Sequence, residues 1–324
     1  MSWVKKLKKK VAKAINKAAK KVADAIKKAG QDIRERSKGH GAFVRWCGRV
    51  AEGLCDAAAA GTMGLAATVT AVTDSTIGGI GGLVTGHWNL AWQSLVDSLA
   101  DLAGGALVTF GSLVSLIQTA IGVEHHKRLL TDHERETLQL VFRESLDVEI
   151  IRIISGRSGV YGLISDRPFT LDDTIYMKDT AADDWDDTLV HEATHIWQYQ
   201  HMGCRYTADA LGAQLFLWKD AAGDWQAYHW WMYIHRPWSE LNREAQAEIL
   251  QDVYLCGLGP DEKGNLLQCK GCFFRPYPPP PNQFLWKGDH CPKAGEVNLD
   301  DITQYANAAV AFIRIRDRDQ VDDF

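Results

Sequence analysis

The sequence predicts an α+β fold, mostly helical with a small sheet, preceded by a helical region rich in small residues. Three observations carry this expectation. Residues 3–29 set apolar side chains at three- and four-residue spacing among lysines, residues 56–123 are dominated by Ala, Gly, Thr, Val and Leu, and short β-branched runs at 148–154 and 174–177 come before long helical patterns. With 324 residues and 46% apolar side chains the chain can bury a real core, which excludes disorder throughout. Composition divides it at residues 1–40, 41–123, 124–260 and 261–324.

In the first segment Trp3, Val4, Leu7, Val11, Ala14, Ile15, Ala18, Ala19, Val22, Ala25 and Ile26 form one stripe of a cationic amphipathic helix, which Gly30 is expected to end. Residues 1–40 hold fourteen Lys/Arg against three acids, a balance of +11 that leaves the rest of the chain at −16. The two parts therefore suit different partners. Such a helix fits an anionic membrane surface, and it fits equally well as a tag read by a docking partner such as a component of a delivery machine. No nucleic-acid partner is expected, because only Trp3 is placed to stack on bases. Lysines recur through position 28, so no uninterrupted apolar stretch follows the basic start and no signal peptide is read.

Residues 41–123 read as an Ala/Gly-rich helical region. Leu102–Val123 runs for twenty-two residues without a formal charge, enough to cross a hydrocarbon core of about 30 Å. Its glycines and hydroxyls suit a buried helical hairpin as well as a membrane-inserting segment, and periodicity does not separate the two.

From residue 124 the composition is that of a globular domain. Thr131, with Glu134 three positions on, makes a capping box for a helix running to Arg143. Val148–Ile154 and Thr174–Met177 alternate as strands, and helices are expected at 185–201, 206–220 and 238–254. Pro276–Pro281 reads as extended linker or surface polyproline II, and Asp300–Arg314 as a last helix before an acidic tail.

The chemistry is carried by His191-Glu192-Ala193-Thr194-His195. On a helix, two histidines four apart present both imidazoles on one face, where they can share a metal ion. Glu192 can then stand beside the open metal position as general base, taking a proton from a water whose acidity zinc raises. A third ligand is expected in Asn242–Glu248, where Glu244 and Glu248 lie one turn apart. Glu244 is assigned the ligand role and Glu248 the support of a ligand imidazole, although the reverse assignment fits the same spacing. Tyr228, His229, Tyr233 and His235 are the available donors for an oxyanion, with Tyr233 and His235 taken as the catalytic candidates.

With its two histidines and Glu244, the chain resembles the gluzincin branch of the zincin metallopeptidases. More narrowly, Arg167-Pro168-Phe169-Thr170, Thr174-Ile175-Tyr176 and the Trp197-Gln198-Tyr199-Gln200 tail are similar to metallopeptidase-like domains found with contractile injection systems and Vgr-type spike proteins. The resemblance covers about residues 130–255. It implies a zincin-like domain that cuts a protein or peptide substrate, with Thr174–Met177 as a strand along the cleft. It also implies a bacterial effector or toxin, exported without a signal peptide and associated with a membrane at its destination.

Seven cysteines are too few for a disulfide scaffold. Cys256, Cys269, Cys272 and Cys291, with His290, have donors enough for a second, structural zinc; disulfides among Cys204, Cys256, Cys269, Cys272 and Cys291 fit equally well in an oxidising space, and free buried thiols are the third choice. Two functions follow from the whole. In the first the chain is a zinc metallopeptidase. In the second residues 1–123 act on a membrane or as a structural component, and the zincin fold is non-catalytic.

Overall fold

The computed structural model describes residues 3–39, 42–84, 92, 98–99, 101–112, 114, 127–155, 168–177, 185–216, 226–255, 273–276, 285–287 and 299–314. Among them the fold is α+β, mostly helical with few strands. In chain order the elements are α1 (Trp3–Ser37), α2 (Ala42–Val84), β1 (Lys127–Leu129), α3 (Asp132–Phe142), β2 (Arg152–Ser155), β3 (Phe169–Leu171), β4 (Thr174–Met177), α4 (Asp186–Met202) and α5 (Arg205–Phe216). They continue with α6 (Arg243–Leu255), β5 (Phe273–Pro276), β6 (Trp286–Lys287), β7 (Leu299–Asp301) and α7 (Thr303–Ile313). Residues 101–112 are also helical. Two compact units divide the chain: unit one is Met1–Leu129, Glu149–Ala181 and Gln198–Asp209, and unit two is Leu130–Val148, Ala182–Trp197 and Ala210–Phe324.

Unit one is a helical hairpin with a four-stranded sheet. α1 does not stop at Gly30 but runs to Ser37. The glycine is there for a close approach, since a Cβ at Gly30 would stand 2.7 Å from Cβ of Cys55 on α2. Ser37 against Gly48, and Arg34 bonded at 2.8 Å to Glu52, show that the two helices run antiparallel. Ala23, Ala59, Ala60, Met63, Ala67, Val108, Ile154, Leu171 and Tyr176 form a common core, with Ala19 and Ile26 packed on it. The apolar stripe of α1 is thus divided: Ala19 and Ile26 pack on protein, while Val22 is 52% exposed and Ala14, Ala18 and Ala25 face solvent.

The sheet has the order β1-β2-β4-β3, with β2 and β4 parallel and the outer pairs antiparallel. Two corrections follow. Val148–Ile150 is a 3-10 turn, and the strand starts at Arg152, whose N–H finds the carbonyl of Asp173 at 2.9 Å. Before that residue no ladder pairing is found among the described residues. Thr174–Met177, the strand that the resemblance places along a substrate cleft, lies between β2 and β3 and has no free edge to pair with a substrate backbone.

The β3–β4 turn carries the buried ion pair of unit one. Asp172 takes the left-handed conformation (φ 59°), which Asp tolerates better than most residues. Lys27 of α1 donates to Asp172 and, at 2.7 Å, to Asp173, with all three side chains buried. Tyr206 accepts from the Asp172 N–H and Gln200 donates to Asp173. Burial pushes the Asp172 carboxyl up to about 6 against the pull of Lys27. Asp173 is affected by burial in the same sense, but Lys27 and its other donors outweigh it and hold this carboxyl below the usual range.

In unit two α3 begins with the expected capping box: Glu134 N–H donates to Thr131 Oγ1 at 3.2 Å and Thr131 N–H to the Glu134 carboxylate at 2.7 Å. The 238–254 helix is broken. Trp238–Glu240 is a 3-10 turn, Leu241 is extended, and α6 restarts at Arg243 with Asn242 Oδ1 accepting from Ala245 N–H at 2.9 Å. The last helix starts at Thr303 rather than Asp300, because Leu299–Asp301 pairs with β5 and Asp301 accepts from Thr303 N–H. Of the proline run, Pro276 ends β5. The rest of that run, residues 113 and 115–123 of the uncharged stretch, the acidic tail, and Cys256, Cys269, Cys272 and Cys291 lie outside the described residues. Cys204 is a buried free thiol, and Cys47 and Cys55 are also free.

Replacing Lys27 with Met should lower stability by about 3 kcal/mol or more, because it leaves two buried carboxylates without their cation. Guanidinium unfolding followed by circular dichroism reads this directly, and an unchanged midpoint would show that the pair does not hold α1 to the turn.

Candidate metal centre

The motif helix is buried on nearly all sides. Leu189, Val190, Ala193, Ile196 and Trp197 are shielded from solvent, and Trp197 donates its indole N–H to Ser145 Oγ at 3.2 Å and meets the Trp238 ring edge-on. Thr194, which would otherwise bury an unmatched hydroxyl, donates to the Val190 carbonyl at 2.8 Å. What is left facing α6 is polar. Gln251 donates to Asp187 at 2.9 Å and Tyr254 to Asp186 at 3.1 Å, which fixes the register between the first turn of α4 and the last turns of α6. His133 also reaches Asp186, at 2.8 Å.

That register brings His191, His195 and Glu244 together, with donor atoms all within 4.8 Å of one another and each residue buried. His191 Nε2 lies 3.4 Å from Glu244 Oε2, and His195 Nε2 lies 3.6 Å from Glu244 Oε1. These separations are long for N–H···O hydrogen bonds. They fit donors that share a small tetrahedral ion, which stand about 3.4 Å apart when each is about 2.1 Å from it. The three residues can therefore hold a metal ion.

The surrounding groups separate by role. The other nitrogen of His191, Nδ1, faces Glu248 Oε2 at 3.5 Å. Glu248 is thus placed behind the ligand imidazole, and Glu244 in front of both imidazoles. Glu192 is buried, and its charge acts on both histidines. Burial disfavours the charged imidazoles, but for His191 the neighbouring Glu244 and Glu248 carboxylates outweigh it and raise the pKa well above the ordinary value. His195 is raised too, chiefly by the charge of Glu244. Burial alone would raise Glu244, yet the two imidazoles hold it well below the carboxylate range. Its place in the first turn of α6 favours the same charged state.

Of the four expected donors, Tyr228 is the one with a ring against a ligand imidazole, 5.9 Å between centroids with His191. His229 stacks on Trp231 at 4.7 Å. Tyr233 donates to the Gln226 carbonyl at 3.5 Å under the Arg236 guanidinium, and His235 Nε2 faces Arg275 at 3.3 Å, so both catalytic candidates have partners of their own.

Asp252 was not legible as part of this line. It lies two turns beyond Glu244 on α6, fully buried, accepting from Trp230 Nε1 at 2.8 Å and paired with Lys287. Burial and the charge of Glu248 push it up to about 6 while Lys287 pulls it down. The signal that could have found it is the spacing, since Glu244, Glu248 and Asp252 recur every four residues on one helical face.

Two outcomes follow for metal binding, with zinc as the probe. One equivalent should bind to the full chain, His195→Ala and Glu244→Ala should abolish binding, and Glu248→Ala should weaken it about 10- to 100-fold by calorimetry. The second concerns pH. In the metal-free chain the raised imidazole pKa values add stability that is fully present below about 6.5 and is lost as pH rises through the raised values. Metal binding needs both imidazoles neutral and so displaces those protons. The rise in Tm on adding zinc should be larger at pH 8 than at pH 6, and equal rises would place the protons elsewhere. Comparison of the chain with protein-family models, curated proteins and solved structures finds no match, so the functional reading rests on the geometry of these side chains.

Proposed function

We propose that unit two is a zinc-dependent hydrolase of peptide bonds. The observation that supports this best is the convergence of His191, His195 and Glu244 in a buried group, with the buried Glu192 next to His191 on the same helix. Two imidazoles and one carboxylate form a donor set typical of catalytic rather than structural zinc, which is usually closed by four protein ligands. Zinc bound there would supply Lewis acidity, bringing the pKa of a water near neutrality and polarising a carbonyl.

The chain's own groups account for the rest. Glu192 takes the proton of the attacking water on its carboxylate and returns it to the leaving amine. Glu248 fixes the ring orientation of His191 through Nδ1 and keeps Nε2 directed at the cage. Tyr228, whose ring lies 5.9 Å from that of His191, serves as the donor to charge developing on the carbonyl oxygen. The apolar packing of α4 excludes bulk water from behind the ligands. A protein or peptide substrate, and the role of an effector delivered by an injection machine, are parts of the proposal that rest on the resemblance of the motif.

Glu192→Gln keeps the shape of the side chain and removes the base. Hydrolysis of a casein or fluorogenic peptide substrate by the zinc-loaded chain should fall by 100-fold or more, about 3 kcal/mol of barrier, while zinc content by elemental analysis stays at one. Full activity with intact metal in this variant would sink the hydrolase reading.

A further inference from the structure

Unit one presents a surface that hydrolysis at the cage does not use. Along one face of α2, at three- and four-residue intervals, Leu54, Ala58, Leu65, Thr68, Val69 and Val72 are exposed, Leu65 to 66% and Val72 to 61%. From residue 57 to residue 73 this helix carries no charged side chain. Its stretch Cys47–Thr73 is long and apolar enough to cross a bilayer, and only 39% of the apolar window is buried, whereas the core helix of a water-soluble domain is mostly buried.

Three hydroxyls of this helix bond back to its own backbone. Thr62 donates to the Ala58 carbonyl at 2.9 Å, Thr68 to Gly64 at 3.0 Å and Thr73 to Val69 at 2.8 Å. In hydrocarbon, where water is absent, the carbonyl four residues back is the acceptor that remains within reach. The helix at 101–112 extends the same kind of surface, with Leu102, Ala103, Ala106 and Phe110 exposed and Thr109 bonded back to the Gly105 carbonyl at 2.8 Å. It meets α2 so closely that a Cβ on Gly105 would stand 3.2 Å from Cα of Gly64.

The opposite side of α2 is committed to protein. Glu52 pairs with Arg34, Asp56 with Lys127, and Ala59, Ala60, Met63 and Ala67 belong to the core. Threading α2 across a bilayer would break all of these, whereas docking in the plane of the interface keeps them. α1, packed on α2, exposes Lys10, Lys13, Lys17, Lys21 and Lys28, a cationic complement to acidic headgroups.

We propose that unit one docks on an anionic lipid bilayer, with the exposed apolar faces of α2 and the 101–112 helix lying in the plane of the interface. The lysines of α1 draw the unit to acidic headgroups and the apolar faces hold it there. The reading is independent of the metal cage. It adds the outer face of the hairpin to the membrane-contacting surface expected of α1, whose stripe is shared between the core, through Ala19 and Ile26, and solvent, through Val22.

Co-sedimentation of the full chain with vesicles tests this. The wild-type chain should bind vesicles of phosphatidylcholine mixed with phosphatidylserine, and should bind phosphatidylcholine alone much less. Leu65→Glu with Val72→Glu should weaken binding about tenfold or more at unchanged helical content, and Leu65→Ser with Val72→Ser should weaken it in the same direction. Lys10→Gln, Lys13→Gln and Lys17→Gln together should reduce binding at low salt and have less effect at high salt. Three results would each overturn the proposal: no binding of the wild type to mixed vesicles, undiminished binding of the Glu variant, or equal binding to both vesicle types. A fourth would also do so, namely light scattering showing a dimer that the Glu variant dissolves, since the face would then join two copies of the chain.

Discussion

A buried carboxylate facing two buried imidazoles is stable only if positive charge stands among them, and unit two is organised around that requirement. Glu244 lies within 3.6 Å of both Nε2 atoms, and all three groups are buried, so little water is present to screen them. Either protons on the imidazoles or a cation between them must supply the charge. The raised pKa values of both histidines are the protonic version of that solution. Coordination is the other, and the separations of the donors fit it. Everything nearby serves the alignment: the Asp186 and Asp187 contacts set the register of α4 on α6, and Asn242 determines where α6 begins.

Unit one solves a related problem with a fixed charge. Lys27 cannot be replaced by solvent, because it stands between Asp172 and Asp173 at a turn whose backbone is already left-handed at the first of them. One lysine among the many of α1 is therefore architectural. Its neighbours Lys21 and Lys28 are exposed and remain available for attraction at a distance.

How much of this was legible in the sequence depended on whether the determining interaction was local. The α+β class, the capping box at Thr131 and the motif helix could be read because spacing on one element decides them. Pairing His191 and His195 with Glu244, fifty residues away, was readable because two ligands on one helix face demand a third. Where a distant partner decided the outcome, the reading failed. Gly30 looks like a helix stop, but close packing against Cys55 makes it a contact residue in mid-helix. Thr174–Met177 looks like an edge, but only the pairing order reveals two neighbours. Lys27 cannot be told from the other lysines of α1 until the β3–β4 turn is in place, and nothing but an eight-residue spacing hints at Asp252.

The guanidinium of Arg314, at the end of α7, donates to the carbonyls of Leu140 and Val141, closing the last turn of α3 across more than 170 residues of chain. Lys287, from β6, closes on Asp252 in the same way. While the chain is being made, the segment with both histidines leaves the ribosome long before these closures can form, so assembly of unit two must wait until residue 314 has emerged. A chain truncated before residue 287 therefore carries the motif without the contacts of Lys287 and Arg314 that close around it.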